Sequence, residues 1–565
     1  MASSRNLLLI ALLFIVYLMW TQWQEDYARP DTAVAGTAEP ATTAAPAIPD
    51  GSDVPAASTA TPAAGVVPPA ASAPSAGASE RVQVTTDVLH VEIDTRGGNI
   101  VVADLLAYPL EPKDHAHPKR LLDDADATFF VAQSGLVSAT GAAPDHLARF
   151  SAEKTAYTLA DGRDTIEVPL TWTDATGISV RKVLTFHRGS YVVDQRQEIS
   201  NHGPSTWTGN AYRQLQRVPP IVDTSGIKGF SNIERYSFAG AAWYSPADKF
   251  RKLKFDEFAS SPMKQDFSGG WAAMLQHYFF AAWIPPAETP THYETATSQA
   301  GGATRYIIRT AAPALAVAPG ETKADSARLY VGPKLQSTLD EVAPGLSLTI
   351  DYGIFTVIAN PLHWLLAQFH KLTGNWGFAI ILLVLLIKAV FFKLSEAQFR
   401  SGAKMRKLQP RIAALNELYA GDPQKKNQAM MELYQKEKVN PLAGCLPMLV
   451  QIPVFFALYW VLLESVELRQ APFIGWIHNL TAPDPYYVLP VLNALVMIAT
   501  TAITPTAGMD PTQAKMMKIM PVAFSVLFAF FPAGLVLYYT VNGGLGLLQQ
   551  WFITRRIEAG DKAKA

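Results

Sequence analysis

Residues 375–394 read NWGFAIILLVLLIKAVFFKL, an apolar stretch whose first charged residue is Lys388. A helix needs about 20 residues to cross the hydrocarbon core of a bilayer. A charge at the centre of such a helix costs about 2.5–3.5 kcal/mol, so it usually faces a partner or a wet cavity. Snorkelling is the alternative, because Lys393 marks the interface only about 7.5 Å further along the helix. Both interpretations make this stretch a membrane span.

Other apolar segments predict six membrane spans if the first apolar run is retained, and five if it is cleaved. The predicted spans lie within residues 1–24 and at about 375–393, 442–463, 486–503, 516–531 and 533–553. The last two come from one run that would measure about 57 Å as a single helix, against a hydrocarbon core of about 30 Å. FFPAG at 530–534 lies near the middle of that run and predicts a tight turn. From its residues alone, the first apolar run fits a cleaved signal peptide as well as a retained anchor.

The basic residues predict the orientation of these spans. Lys and Arg are frequent in segment 394–440, whereas the loop 464–485 contains only Arg469. Because short loops rich in Lys and Arg stay in the cytoplasm, segment 394–440 is predicted to be cytoplasmic. The same rule places the N terminus, near Arg5, and the C terminus in the cytoplasm.

The cytoplasmic segment 394–440 is predicted to be a helical hairpin. Asp422 and Pro423 suit the N-cap and the first position of its second helix. The hairpin carries a basic surface formed by Lys404, Arg406, Lys407 and Arg411. A solvated charged face, a ribosome contact and a contact with lipid headgroups are all compatible with this surface.

The first half of the chain has a different character. Residues 25–79 are rich in Pro and Ala and predict a disordered tether. From residue 80 to about 345, apolar residues alternate between Gly, Asn, Asp and Pro breaks, which predicts an antiparallel β-sandwich outside the cytoplasm. Residues 352–374 predict an amphipathic helix that lies on the membrane surface, with packing against the β domain as the alternative.

Composition narrows the possible functions. The net charge of −1 argues against a nucleic-acid substrate, and the single cysteine, Cys445, cannot form an intrachain disulfide. We expect no metal and no cofactor. We also expect no enzymatic activity, because no paired acid–base motif is apparent. A transporter or channel is disfavoured because the predicted spans carry no internal Asp, Glu or His. A periplasmic sugar enzyme would rest on fold type alone, and fold does not confer activity.

Several longer motifs resemble the YidC/Oxa family of membrane protein insertases, in its Gram-negative form. They are NWGF (375–378), AKMRKLQPRI (403–412), KVNPLAGCLP (438–447), VELRQAPF (466–473), DPYYVLP (484–490), FPAGLVLYY (531–539), RNLLLIALLF (5–14) and TDVLHVEIDTRGGNI (86–100). The resemblance covers most of the chain except the tether. It implies a multi-domain protein with a retained first span, a periplasmic mutarotase-like β-sandwich and a five-span core within 375–565.

The resemblance also implies a groove that is open to the cytoplasm and to lipid. Lys388 occupies the position of the groove's single cation, which is commonly arginine in the family. Polar residues on neighbouring spans would hydrate this cation, namely Gln451, Tyr539 and Asn542. A stripe on the fifth span would either contact substrate helices or pack against its neighbours, namely Met516, Met520 and Phe524.

The implied activity is the insertion and folding of inner-membrane proteins, as insertase and chaperone. The implied partners are nascent membrane proteins, the lipid bilayer, the Sec translocon with its accessory subunits, and the ribosome. The implied location is the bacterial inner membrane, with several spans and a large periplasmic domain.

Overall fold

A computed structural model describes the chain at residues 53–55, 80–111, 114, 116–222, 233–235, 237–419, 421–437, 446–503, 515, 519, 523 and 525–562. The chain divides into a β unit that ends at Ile350 and a helical unit that begins at Asp351. The predicted first span, residues 1–24, lies outside the described residues, as does the predicted tether apart from residues 53–55.

The described residues of the β unit form twenty strands. In chain order, β1 to β20 are Arg81–Thr85, Leu89–Asp94, Asn99–Pro109, Pro118–Leu122, Phe130–Ser138, Ser151–Ala152, Ala156–Thr158, Thr165–Thr173, Ile178–His187, Val192–Asn201, Trp207–Arg217, Gly240–Ser245, Lys249–Lys254, Lys264–Phe267, Trp271–Leu275, Phe279–Ile284, Thr291–Ala300, Ala303–Ala311, Leu315–Val317 and Thr322–Pro333. Short helical turns follow β11, β13 and β20: 3₁₀ turns at Ile233–Arg235, Phe255–Glu257 and Leu346–Thr349, and helix α1 at Leu339–Val342.

The strands form two sheets. The eleven-stranded sheet runs in the order β14-β17-β18-β11-β5-β3-β2-β1-β7, with β19 beside β11 and β4 beside β3. The nine-stranded sheet runs in the order β13-β12-β15-β16-β20-β10-β9-β8-β6. The paired strands are antiparallel except for β1 and β7. The antiparallel β domain predicted from the alternation of apolar residues is therefore confirmed.

A lysine lies in the interior of this β domain. Lys182 on β9 shares a strand face with Val180 and Leu184, and all three side chains are buried. Its Nζ donates to Gly97 O at 2.6 Å and to both Ser134 O and Ser134 Oγ at 2.9 Å. Burial and the nearby Arg213 lower the pKa of Lys182 to about 7. The three oxygens act in the opposite direction, because each accepts a hydrogen bond from the ammonium group.

Residues 53–55, within the predicted disordered tether, lie against the β domain. The Asp53 carboxylate is 3.2 Å from Nε2 of the fully buried His146, and Arg309 donates to Asp53 O at 2.6 Å. The hydrogen bond with His146 lowers the pKa of Asp53. The carboxylate and the carbonyl of Asp53 thus find partners on distant parts of the β domain that composition does not reveal.

The helical unit follows. A 3₁₀ turn at Gly353–Phe355 leads into its helices, which are α2 Thr356–Thr373, α3 Trp376–Val390, α4 Phe392–Leu418, α5 Pro423–Lys436, α6 Leu446–Glu464, α7 Val488–Ile503 and α8 Ala533–Lys562, with a further 3₁₀ turn at Val466–Leu468. Among the described residues, no single helix is both long and apolar enough to cross a bilayer. Residues 376–390 and 392–404 meet that standard together, although they are bent by 65° relative to each other.

Helices α4 and α5 pack against each other. Leu408 and Ile412 of α4 are buried, and side chains of α5 pack on them. Asp422 accepts hydrogen bonds from Gln424 N at 3.2 Å and Lys425 N at 3.1 Å, so the predicted N-cap of α5 is confirmed.

Candidate functional site

The start of α3 is fixed to a distant loop by one side chain. The Asn375 Oδ1 accepts from Gly377 N at 2.9 Å and from Phe378 N at 3.2 Å, which caps the helix. The Asn375 Nδ2 donates to Phe473 O at 2.9 Å and to Pro472 O at 3.3 Å. Gly377 lies so close to the Phe473 ring that an added Cβ would come within 2.0 Å of it. The NWGF motif therefore joins helix and loop.

The loop after α6 also packs on the start of α8. Gly534 N donates to Leu480 O and Ala533 N donates to Ala482 O, both at 2.8 Å. The buried Asp484 accepts from Trp476 Nε1 at 2.9 Å and from Leu489 N, in the first turn of α7, at 2.8 Å. Asp484 was not predicted as a site residue, although an Asp shortly before an apolar helix is a capping signal.

Lys388 lies in the last turn of α3, just before the 65° bend. Its side chain is partly buried, and its Nζ is 3.5 Å from the point where a Cβ on Gly546 of α8 would stand. Gln549 Nε2 donates to Lys388 O at 3.4 Å. The 3.5 Å distance at Gly546 is an ordinary van der Waals contact, so the ammonium group lies directly against α8 there.

The positive charge of Lys388 is not paired with a carboxylate of any described residue. Among the described residues, no carboxylate lies within 4.0 Å of its Nζ. Glu396, on the far side of the bend, pairs instead with Lys393 at 3.4 Å and Arg400 at 3.1 Å. The described part of the helical unit thus gives the Lys388 ammonium no counter-ion.

Tyr539 connects α8 with α6. Its ring centroid is 5.1 Å from that of Phe455 on α6 and 4.5 Å from that of Phe528. Gln451 lies one helical turn from Phe455, and Asn542 lies three residues after Tyr539; both are partly buried. The helical repeat puts Tyr539, Asn542 and Gly546 on one face of α8, so this face runs from the α6 contact to Lys388.

The close approach of α7 to α8 depends on another glycine, Gly543. A Cβ on Gly543 would come within 2.7 Å of Val496 Cγ1, whereas nothing lies within 4 Å of the corresponding point on Gly544. Small residues of this kind let helix backbones approach one another in membranes.

The remaining predicted site residues are distributed as follows. Lys404, Lys407 and Arg411 are exposed on α4, and Arg411 Nη1 lies 2.5 Å from Glu437. The side chain of Arg406 lies outside the described part of the structure, as do the residues of the predicted stripe Met516, Met520 and Phe524. No group of three or more His, Cys, Asp or Glu side chains within the described ranges is arranged to hold a metal ion.

Two family models match the chain. Residues 81–365 match the family described as YidC periplasmic domain, and residues 368–561 match the family described as 60Kd inner membrane protein.

Curated relatives match along the whole chain. A protein of Methylococcus capsulatus named Membrane protein insertase YidC is 46% identical over 540 residues, which cover 96% of each chain. A protein of the same name from Thioalkalivibrio sulfidiphilus is 44% identical over 571 residues, which cover 100% of each chain. A solved structure described as active YidC insertase with the first transmembrane domain resolved is 20% identical, with a TM-score of 0.35, and covers 84% of this chain and 92% of that one.

Proposed function

The chain belongs to the YidC family of membrane protein insertases, and from this premise we propose that Lys388 is the cation of a wet groove through which clients enter the bilayer. The protein is an inner-membrane insertase with a periplasmic domain. The groove would be open to the cytoplasm and to lipid. The observation that carries the proposal is a partly buried ammonium group without a carboxylate among its described neighbours.

The chemistry of incoming clients fits such a cation. A client segment that must cross the membrane often carries Asp or Glu, and a lone ammonium in a hydrated site attracts a carboxylate without holding it tightly. An internal Asp or Glu partner would cancel that attraction. Water would be kept beside the cation by three polar side chains, Gln451, Tyr539 and Asn542. Each carries a hydrogen-bonding group, either where α6 and α8 meet or on the face of α8 that leads to Lys388.

Exposed apolar side chains support a membrane location for several helices. They include Leu385, Leu386 and Val390 on α3, Val491, Leu492, Leu495 and Ile498 on α7, and Leu548, Trp551 and Phe552 on α8. We propose six spans, with both termini and the α4–α5 hairpin in the cytoplasm. Helix α2 would lie on the opposite membrane surface, since Trp364 and Leu372 are 59% and 77% exposed.

Partners follow from the same arrangement. We propose that the protein acts alone or with the Sec translocon and its accessory subunits, and that the basic side of the hairpin faces the ribosome. The exposed Lys407 and Arg411 support the ribosome contact. The stripe of Met516, Met520 and Phe524 would contact client helices, because methionine adapts to varied surfaces.

Reconstituted insertion tests the groove cation. The purified protein is placed in liposomes with a small client that has an acidic translocated tail, or with the same client after its tail is neutralised. We expect Lys388→Arg to retain insertion, since Arg keeps the charge. Lys388→Ala should slow the acidic client up to about fivefold, because a hydrated ion pair contributes about 0.2–1 kcal/mol. Lys388→Glu should slow it further through like-charge repulsion.

Protease protection of the tail measures insertion in each case. Lys393→Ala is the matched control, because Lys393 is exposed and already paired with Glu396. Snorkelling predicts that Lys388→Ala is harmless for every client. Equal insertion of both clients by the Lys388→Ala protein, at wild-type rates, would refute the groove cation.

A further inference from the structure

A cavity of about 590 Å³ lies between α4 and the last turns of α8. Among the described residues, four basic side chains line it, Arg400, Lys404 and Lys407 from α4 and Arg556 from α8, together with one carboxylate, Glu396. The three residues of α4 follow one another at intervals of four and three positions, so they share one face of the helix. Two helices that are far apart in the sequence thus direct their cations into one space.

The single carboxylate does not balance these cations. Glu396 already pairs with Arg400 at 3.1 Å and with Lys393 at 3.4 Å. Among the described residues, Lys404 and Arg556 have no carboxylate within 4.0 Å, and the Arg556 guanidinium lies 5.9 Å from the Phe552 ring centroid. The described lining of the cavity therefore has an excess of positive charge, which favours an anion.

The cavity also has an apolar side. Phe392, Phe552 and Ile557 line it beside the cations. Phe552 is 52% exposed, so its ring offers an apolar surface next to the basic groups. A free inorganic anion needs no such surface, whereas a molecule with a phosphate joined to acyl chains would use both sides of the cavity.

The cations lie at the level where the apolar helices end. The apolar run of α8 ends at Ile553, two residues before Arg555, and the apolar run that includes α3 ends at Phe392, just before Lys393. The Arg555 guanidinium lies 4.4 Å from the Trp551 ring centroid. Tryptophan and basic residues at the end of a span mark the headgroup level of a bilayer.

We propose that this cavity binds the phosphate headgroup of an anionic phospholipid from the leaflet on the hairpin side. Lys404 and Arg556 hold the phosphate, and Phe392 and Phe552 contact the adjoining acyl chain. The proposal goes beyond client insertion, and it needs only that α3 and α8 lie in the membrane.

Lipid binding to the full-length protein tests this site. The protein is purified in a neutral detergent and titrated with phosphatidylglycerol or phosphatidylcholine, and native mass spectrometry counts the lipids retained. We expect preferential retention of phosphatidylglycerol. The double variant Lys404→Gln, Arg556→Gln should weaken its binding roughly 30-fold, because each cation near a bilayer surface contributes about fivefold.

Two control variants distinguish lipid binding in this cavity from non-specific attraction of an anionic lipid to basic residues. Lys425→Gln, Lys426→Gln removes the same charge from α5 and should leave retention unchanged. The double variant Lys404→Arg, Arg556→Lys keeps both charges and should retain lipid binding. Retained binding would show that the loss in the Lys404→Gln, Arg556→Gln protein comes from the missing charges and not from misfolding. Equal weakening by the α5 variant would overturn the proposal.

Competitors distinguish the sources of phosphate. Displacement of phosphatidylglycerol by millimolar inorganic phosphate would identify a free-anion site and overturn the lipid assignment. Displacement by a short RNA duplex, lost in the Lys404→Gln, Arg556→Gln protein, would assign the cavity to RNA instead. Equal retention of phosphatidylcholine would overturn charge recognition. The proposal is supported if neither competitor displaces phosphatidylglycerol and if only the Lys404→Gln, Arg556→Gln protein loses its binding.

Discussion

Lys182 in the β domain and Lys388 in the helical unit are both withdrawn from bulk water, yet their surroundings differ. Lys182 is fully buried, and three oxygens accept hydrogen bonds from its Nζ at 2.6–2.9 Å. Lys388 is partly buried beside Gly546, with no carboxylate among its described neighbours. A buried ammonium whose bonds are satisfied holds a structure together, whereas one left without a partner is available for a ligand. Residue type and burial alone do not distinguish these roles.

The largest effect is expected from removing the satisfied lysine. Lys182→Met leaves the buried Gly97 O and Ser134 O without their donor, and each unsatisfied acceptor costs about 1–3 kcal/mol. With both acceptors unpaired, the free energy of unfolding of the β domain should fall by about 2–6 kcal/mol, as measured by urea unfolding followed by tryptophan fluorescence. Lys154→Met, at an exposed lysine, should change it by less than about 0.5 kcal/mol. Similar values for both variants would show that Lys182 has no structural role.

The pH dependence of stability gives a second test of Lys182, whose effect is smaller when it is counted per pH unit. Its pKa is about 7 in the folded protein, below the value of about 10.4 in an unfolded chain. Between these values the unfolded state binds more protons, so the contribution of Lys182 to stability rises with pH. The wild-type protein should gain up to about 1.4 kcal/mol per pH unit relative to Lys182→Met from pH 7 to about pH 10. A difference that stays constant over this range would contradict the shifted pKa.

The smallest effect on stability is expected at the other lysine. Lys388→Met removes a charge that has no carboxylate partner among the described residues, so no strong bond is lost. The melting temperature in detergent should stay within about 3 °C of the wild-type value, the shift expected for less than about 1 kcal/mol in a protein of this size. Fluorescence-detected size-exclusion after heating measures it. A large fall would mean that Lys388 supports the fold, and the contrast with Lys182 would disappear.

Local patterns predicted the elements well. The alternation of Ile166, Val168, Leu170 and Trp172 corresponds to β8, and the helical spacing within residues 352–374 corresponds to α2. Such predictions succeed because the periods of strands and helices are properties of neighbouring residues. The cap at Asp422 is local in the same way.

Features that depend on distant residues were not predicted. The partners of Lys182 lie 85 and 48 residues away, and those of Asp53 lie 93 and 256 residues away. The bend after Val390 has no proline or glycine to announce it, so the prediction of a span at residues 375–393 includes no bend. The basic cavity was missed because Arg400 and Arg556 belong to helices whose contact no local pattern encodes.

The double role of the Asn375 side chain imposes an order on assembly during synthesis. Its amide caps α3 as soon as that helix forms, but the carbonyls it donates to belong to residues 97 and 98 positions later. At about 5–20 residues per second, the ribosome needs roughly 5–20 s to produce them. Helix α3 is therefore complete as a helix well before it is anchored, and the loop after α6 closes the junction when it arrives. The hydrogen bonds from Asn375 Nδ2 to Pro472 O and Phe473 O can form only after the later part of the chain has been synthesised.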